Sequence, residues 1–199
     1  LCGKGGLTGA QNIDDIPSYM MLSPSRNINP EKNGRRKRGG TTLVNAAAYA
    51  GTPKILGLYE AYFESGTAYL LAATADGDIY KNDTDKIATG MGTAKPYSFA
   101  MGENKTFIAD GVNVPRVWAG AGNAAAISEP AADFSITPVF QMLLHGRGAS
   151  KRMLALNSKA LFFSATYATA GDMEKFITGA ENMFIDTGEG AGLVGMAEF

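Results

Sequence analysis

The sequence predicts a mainly β protein in which propeller-like antiparallel β-meander blades follow an extended N-terminal arm. Three similar segments predict the blades, because each is an apolar run, a tight polar turn and a second short run. The turns are Asp76-Gly77, Asp110-Gly111 and Asn157-Ser158. Asp-Gly between apolar runs is a strong hairpin signal, since Gly adopts the positive φ of the primed turns. Recurrence at roughly 35–45 residues is typical of propeller blades.

The first 40 residues have a different composition from the rest of the chain. They contain seven glycines and three prolines, a density that is typical of segments where regular elements are short or absent. We therefore expect an extended arm over residues 1–40 and a β-propeller-like domain over residues 41–199. The arm has one apolar island, which we expect to contact a neighbouring subunit; its candidate contact residues are Ile16, Tyr19, Met20, Met21 and Leu22.

Strand patterns follow one another from residue 41 onward. Residues 54–81 read as three antiparallel strands, the first of which alternates so that one face holds Ile55, Gly57, Tyr59, Ala61 and Phe63. Residues 95–118 and 139–164 each predict two or three further strands, including a strand that begins at Val112.

The remaining segments predict little regular structure. Residues 119–132 are rich in small residues and predict a linker or loop, and residues 172–176 predict one helical turn with Asp172 as its N-cap. Residues 184–199 hold one strand and begin another. This makes three to four blade-sized units, whereas closed propellers typically need about 4–8. We therefore expect the domain to be truncated at its C-terminal end.

Composition argues against most catalytic chemistry. The net charge is −1, and the chain has one cysteine, Cys2, and one histidine, His145. These numbers exclude a disulfide framework and a Cys/His metal cluster within one chain. No G-x-S-x-G motif accompanies His145. Asp76 and Asp78 could offer oxygen atoms to calcium, but the ion takes six to eight of them, and turn chemistry explains the pair more simply.

We therefore predict no enzyme, no catalytic residues, no cofactor and no metal ligands. No apolar run approaches the roughly 18 residues of a membrane-spanning helix, so we predict no membrane partner.

The sharpest charge feature is the basic run Arg35, Arg36, Lys37 and Arg38. Three interpretations stay open. The run can be a solvated loop or an edge strand, where cations discourage unwanted pairing. It can contact an acidic neighbour or, without sequence specificity, the phosphates of genomic DNA. It can also be a dibasic processing site.

Several segments in order carry a resemblance. The arm holds Gly5-Gly6-Leu7, Asp14-Asp15-Ile16-Pro17, Asn27-Ile28-Asn29-Pro30 and a basic stretch at residues 34–40. The later part holds Leu161-Phe162-Phe163-Ser164, Gly171-Asp172-Met173-Glu174-Lys175-Phe176 and a glycine-rich acidic loop at residues 186–190. This order resembles tailed-phage virion proteins of the tail nozzle (tail tubular protein B-like) or head-to-tail hub type.

The resemblance implies a structural subunit of a homo-oligomeric ring in the phage tail or neck, assembled in the host cytoplasm, which lines or closes the DNA channel used in ejection. Its implied partners are identical subunits, portal or adaptor proteins and other tail proteins. The alternative function is a β-propeller binding module, namely a receptor- or carbohydrate-binding tail component.

Overall fold

The computed structural model describes residues 28–31, 34–37, 48–82, 85–177, 179–184 and 192–196. The chain divides into two units, Leu1–Val44 and Asn45–Phe199. The mainly β class is confirmed, because the described residues hold fourteen strands and only three short 3₁₀ helices. Among these residues, no helix is long and apolar enough to cross a membrane.

The first unit contains a short antiparallel hairpin. Strand β1 (Ile28–Glu31) pairs with β2 (Gly34–Lys37), so that Ile28 lies opposite Lys37 and Glu31 opposite Gly34. The predicted arm therefore includes one regular element, the hairpin. Its strands are short, in agreement with the high glycine and proline content of residues 1–40.

The second unit consists of three four-stranded antiparallel sheets, in each of which consecutive strands are neighbours. Sheet 1 comprises β3 (Ile55–Tyr62), β4 (Ala68–Thr74), β5 (Ile79–Lys81) and β6 (Asp85–Ala88). Sheet 2 comprises β7 (Ser98–Gly102), β8 (Lys105–Ala109), β9 (Arg116–Trp118) and β10 (Ala125–Ala126). Sheet 3 comprises β11 (Gln141–His145), β12 (Arg152–Leu156), β13 (Ala160–Phe163) and β14 (Glu181–Phe184). Within the described residues, the three sheets do not close into a ring.

Two apolar cores join the sheets. One contains Trp118, fully buried, with Phe63 and Tyr69 packed edge-on against its ring at 5.4 and 5.3 Å. The other contains Phe134, whose ring meets Phe162 at 5.0 Å. The first strands of successive sheets also touch one another, since β3 contacts β7 and β7 contacts β11. The sheets are thus stacked through apolar faces, with their first strands side by side.

The three hairpin turns lie between the second and third strands of their sheets, as the sequence predicts. Gly77 adopts φ +79° in the first turn, and Gly111 adopts φ +69° in the second. Each sheet also has a fourth strand, which the sequence patterns did not reveal. In sheet 3 the strand predicted within residues 184–199 lies earlier, because β14 ends at Phe184, and the described residues 192–196 form no strand. Strand β6 begins with the charged pair Asp85-Lys86, and β10 is only two residues long. Such strands carry too little apolar alternation to be recognised.

Two strand predictions are wrong in detail. The strand expected from Val112 begins only at Arg116, because the Asp110 carboxylate accepts hydrogen bonds from the amides of Val112 and Asn113 and holds them in a loop. Ile55 does not share the buried face of β3, because a β-bulge between Ile55 and Gly57 shifts the register there. Gly57, Tyr59, Ala61 and Phe63 do turn inward.

The helical turn near residue 172 exists, but its predicted N-cap is wrong. The 3₁₀ helix runs over Asp172–Glu174, and Gly171, at φ +93°, is the residue that precedes it. Asp172 instead accepts hydrogen bonds from the amides of Ala168 and Thr169, at 3.1 and 2.6 Å. Its carboxylate therefore closes the turn before the helix. The predicted linker at residues 119–132 contains β10 but is otherwise irregular.

Candidate functional site

The predicted partner-contact residues fall mostly outside the described part of the chain. Ile16, Tyr19, Met20, Met21 and Leu22 lie outside it, and so does Arg38. Arg35, Arg36 and Lys37 lie on β2, where their register partners are Pro30, Asn29 and Ile28. The structure thus places three of the four basic residues on one strand of the hairpin.

The side chains that the sequence singled out for chemistry have structural partners. Asp78 forms an ion pair with Lys86 at 2.6 Å and accepts a hydrogen bond from the Tyr80 hydroxyl. His145 lies exposed at the end of β11, opposite Arg152 in the register. Among the described residues, no group of three His, Cys, Asp or Glu side chains could hold a metal ion.

Asp110 is a buried carboxylate that organises the turn of sheet 2. Its Oδ1 accepts the amides of Val112 and Asn113, and its Oδ2 accepts the amide of Gly92 and the Asn113 side-chain amide. Burial alone would raise the pKa of this carboxyl, but the hydrogen bonds from Asn113, Val112 and Gly92 outweigh burial and lower it. A carboxylate with all its lone pairs occupied is a structural group, not a general base.

Sheets 1 and 3 have a buried polar residue at the same place, the end of the second strand. In sheet 3, Asn157 accepts the amides of Lys159 and Ala160 at 2.9 and 2.8 Å and donates to the Thr137 carbonyl oxygen at 3.2 Å. In sheet 1, the Thr74 hydroxyl donates to the Asp78 carbonyl oxygen. Each turn is therefore held by one buried side chain, which shapes the loop that follows.

Sheets 2 and 3 are joined by carboxylates that accept main-chain hydrogen bonds. Glu103, in the turn between β7 and β8, accepts the amides of Gly171 and Met173 at 2.7 and 2.8 Å. Glu103 has φ +51° and Asn104 has φ +57°, so this turn uses left-handed conformations without glycine. The strain is maintained by the bonds that the Glu103 carboxylate makes.

A second ionic contact lies beside the first. Lys105 of β8 forms an ion pair with Glu174, whose other carboxylate oxygen accepts the Ser128 amide at 3.2 Å. Glu174 is buried, so the pair is shielded from solvent. Asp172 and Lys175 form another ion pair at 2.8 Å, within the loop itself. Glu103 and the Lys105–Glu174 pair attach the loop between β13 and β14 to sheet 2.

A small cavity of about 180 Å³ lies beside β14. Its lining residues are Ala131, Phe162, Phe176, Ile177, Ala180, Glu181 and Asn182. This volume is below the roughly 300–1,000 Å³ of small-molecule pockets, but it is large enough for a side chain of a partner. The cavity is lined mostly by apolar residues and lies next to the outer strand of sheet 3.

Sequence reasoning did not identify Glu103, Lys105 or Glu174 as a group. The spacing between Glu103 and Gly171 is 68 residues, and no local pattern connects positions so far apart. One signal was available: Glu103-Asn104 separates two apolar runs, as a two-residue hairpin turn does.

These side chains hold sheets and loops together, which is a structural role. Comparisons of the chain with protein-family models, with curated proteins and with solved structures find no match.

Proposed function

We propose that this chain is a structural virion protein with a propeller-type body, a subunit of a phage tail nozzle or head-to-tail connector ring that lines or closes the DNA channel. Its proposed partners are identical subunits, portal or adaptor proteins and other tail proteins. In this role the protein acts through packing and geometry and does not catalyse a reaction. The resemblance described above supports the proposal.

The arrangement of the sheets is the observation that carries it. Strands β3, β7 and β11 lie side by side, and each sheet continues outward from its first strand in chain order. Blades of a propeller are arranged in this way around an axis. In a propeller with three sheets, the outer faces of sheets 1 and 3 have no neighbouring sheet among the described residues. These faces could contact other protein chains.

The outer face of sheet 1 has the composition that such a contact needs. Leu58 and Tyr62 point away from the core on β3, each 63 % exposed, and Glu60 lies between them. Exposed Leu and Tyr on one strand are typical of surfaces that become buried between subunits, where aromatic residues are enriched.

The polar contacts between sheets 2 and 3 are suited to a rigid subunit. The Glu103 carboxylate bonds to main-chain amides of the loop, and Lys105 pairs with the buried Glu174. Hydrogen bonds to charged groups contribute about 1.5–3 kcal/mol each, more than neutral ones. A subunit stiffened in this way transmits force between its neighbours without local unfolding.

The test is the assembly state of the purified full chain. Sedimentation velocity over a range of concentrations, with negative-stain electron microscopy of the same samples, should reveal closed rings of uniform subunit number. A chain that stays monomeric at the highest concentration, both alone and mixed with a portal ring, would remove the main support for a ring subunit.

The basic run allows a separate test of contact with DNA. Reversing Arg35 and Arg36 to Glu should weaken retention of double-stranded DNA by the assembled protein. The slope of log K against log[salt], which is negative, should also become less steep by about 0.9 for each phosphate that is no longer neutralised. Reversing the exposed Arg147 and Lys159 changes the net charge equally and is the matched control. Equal DNA retention by both variants would leave the run as a solvated edge strand.

A further inference from the structure

The three sheets end in outer strands that differ in how well they are protected from further pairing. In sheet 1, β6 carries the charged residues Asp85 and Lys86, and the Ile87 carbonyl oxygen already accepts the Ala124 amide at 2.7 Å. In sheet 2, β10 is only two residues long. Charged side chains and short length are the usual means by which proteins protect sheet edges.

Strand β14 of sheet 3 is less protected, because its one charged residue is Glu181, at the beginning of the strand, and Glu181 is paired with Arg152. The strand is four residues long and pairs with β13 on one side, and no strand among the described residues pairs with its other side. Met183 is 53 % exposed in the middle of the strand. In an antiparallel strand, alternate residues direct their main-chain N–H and C=O groups toward each side, so β14 presents such groups at its open edge.

Apolar residues lie on both faces of the sheet next to this edge. On the face of Asn182 lies the cavity, whose walls include Phe162 and Phe176. On the opposite face, Met183 lies beside Leu161. Ile177, at the mouth of the cavity, is 63 % exposed. A strand added here would meet apolar residues on both faces, with the charged Glu181 at the beginning of β14, so its own residues would need to be largely apolar at consecutive positions.

We propose that the open edge of β14 accepts the apolar island of the N-terminal arm, residues 16–22 of a second copy of this chain, as a fifth strand. This inference rests on the proposed ring function, for which it names the contact between neighbouring subunits. Main-chain hydrogen bonds along the edge would supply affinity, and the cavity would select the side chain, as in other cases of strand addition.

The chemistry of the island matches the edge. Residues 18–22 contain no proline, so every residue can donate its amide to the strand ladder. Tyr19 and Met21 alternate with Met20 and Leu22, which makes the segment apolar on both faces. One face can fill the cavity while the other covers Met183. Residues 23–27 connect the island to β1 and span at most about 18 Å when extended.

A photoreactive amino acid at Asn182 of the full chain tests this contact. Equal amounts of a nitrogen-15-labelled copy without the photoreactive group and an unlabelled copy that carries it are assembled, irradiated and digested. Mass spectrometry should find the cross-link on residues 16–22 of the labelled copy. A cross-link confined to the same copy, or to another segment, overturns the inference.

Two variants of the photoreactive copy and one variant of the labelled copy test which residues the cross-link depends on. Met183→Lys places a cation on the edge and should abolish most of the cross-link between copies, whereas Val112→Lys, at an apolar position in the turn of sheet 2 that is 50 % exposed, should leave it intact. Met21→Ser in the labelled copy should weaken the cross-link without touching the folded sheets. Undiminished cross-linking by Met183→Lys and by Met21→Ser would overturn the proposed contact.

The assembly state separates this inference from the proposed function. Rings whose cross-links map elsewhere leave the ring function standing and refute the strand addition at β14. Cross-links from Asn182 to residues 16–22 of another copy, without closed rings, support the strand addition and refute the ring.

Discussion

Comparing the free energies of unfolding of Gly77→Ala and Gly66→Ala measures how much one tight contact restrains the hairpin turn of sheet 1. Both glycines adopt left-handed conformations, at φ +79° and +81°. A Cβ atom at Gly66 would meet nothing within 4 Å, whereas at Gly77 it would lie 2.5 Å from the Met91 carbonyl oxygen and 3.2 Å from the Met91 nitrogen. The two Ala variants therefore share the conformational cost and differ in the contact.

The expected magnitudes follow from these distances. A left-handed conformation costs an L-residue about 1–2 kcal/mol, which is the expected loss for Gly66→Ala. In Gly77→Ala the backbone must also move away from Met91, whose amide donates to the Gly77 carbonyl oxygen at 2.9 Å. Overpacking of this kind costs about 1–3 kcal/mol more. We expect Gly77→Ala to lower the free energy of unfolding by about 2–5 kcal/mol in total.

Urea unfolding followed by tryptophan fluorescence measures both changes in stability. Trp118 is the single tryptophan and is fully buried against Phe63 and Tyr69, so its emission reports the packing of sheets 1 and 2. The smaller entropy of an unfolded chain with Ala in place of Gly affects both variants alike and cancels in the difference. Equal destabilisation of the two variants would show that the contact with Met91 does not restrain the turn.

Two further predictions concern the loop that joins sheets 2 and 3. In Glu103→Gln one of the two hydrogen bonds from the amides of Gly171 and Met173 is lost and the other no longer has a charged acceptor. We therefore expect a destabilisation of about 1–3 kcal/mol and faster hydrogen exchange at these amides; unchanged protection there would contradict this role. The Lys175 ammonium, followed by main-chain amides, holds the pKa of the Asp172 carboxyl well below its usual range. That contribution to stability is complete above the unfolded pKa of about 3.9 and is lost as pH falls toward the depressed folded pKa. In Asp172→Asn, Tm should therefore fall less steeply as the pH is lowered below about 3.9. A decrease of Tm with pH as steep as in the parent chain would rule this out.

The hairpins were predictable because their determinants are local. Asp76-Gly77 sits between two apolar runs, and the positive φ that Gly77 adopts is the conformation for which that residue is chosen. Alternation along β3 likewise identified Tyr59, Ala61 and Phe63 as inward-facing residues. The misassigned Ile55 lies beyond a bulge, and one inserted residue reverses every side chain that precedes it.

The joints between the sheets were not predictable, because they depend on residues that are distant in the chain. Glu103 occupies a turn position where glycine or asparagine would be expected, and only its contact with Gly171 explains the choice. The same holds for Lys105 and Glu174, which are 69 residues apart. Asp172 is a different case, because its partners Ala168 and Thr169 are close in the chain: its carboxylate caps the preceding turn and not the helix that the sequence indicated.

The amino-acid sequence by itself determined the β class, the three turns between second and third strands and the contrast between a glycine- and proline-rich arm and a strand-rich body. Those features depend on φ preferences and on a two-residue period, which act over a few positions. Only the tertiary structure decided that the sheets stack with their first strands together, that charged residues join sheets 2 and 3, and that no other described strand pairs with the outer side of β14. Each of these depends on which segments meet after burial of apolar surface, and no short stretch of sequence contains that information.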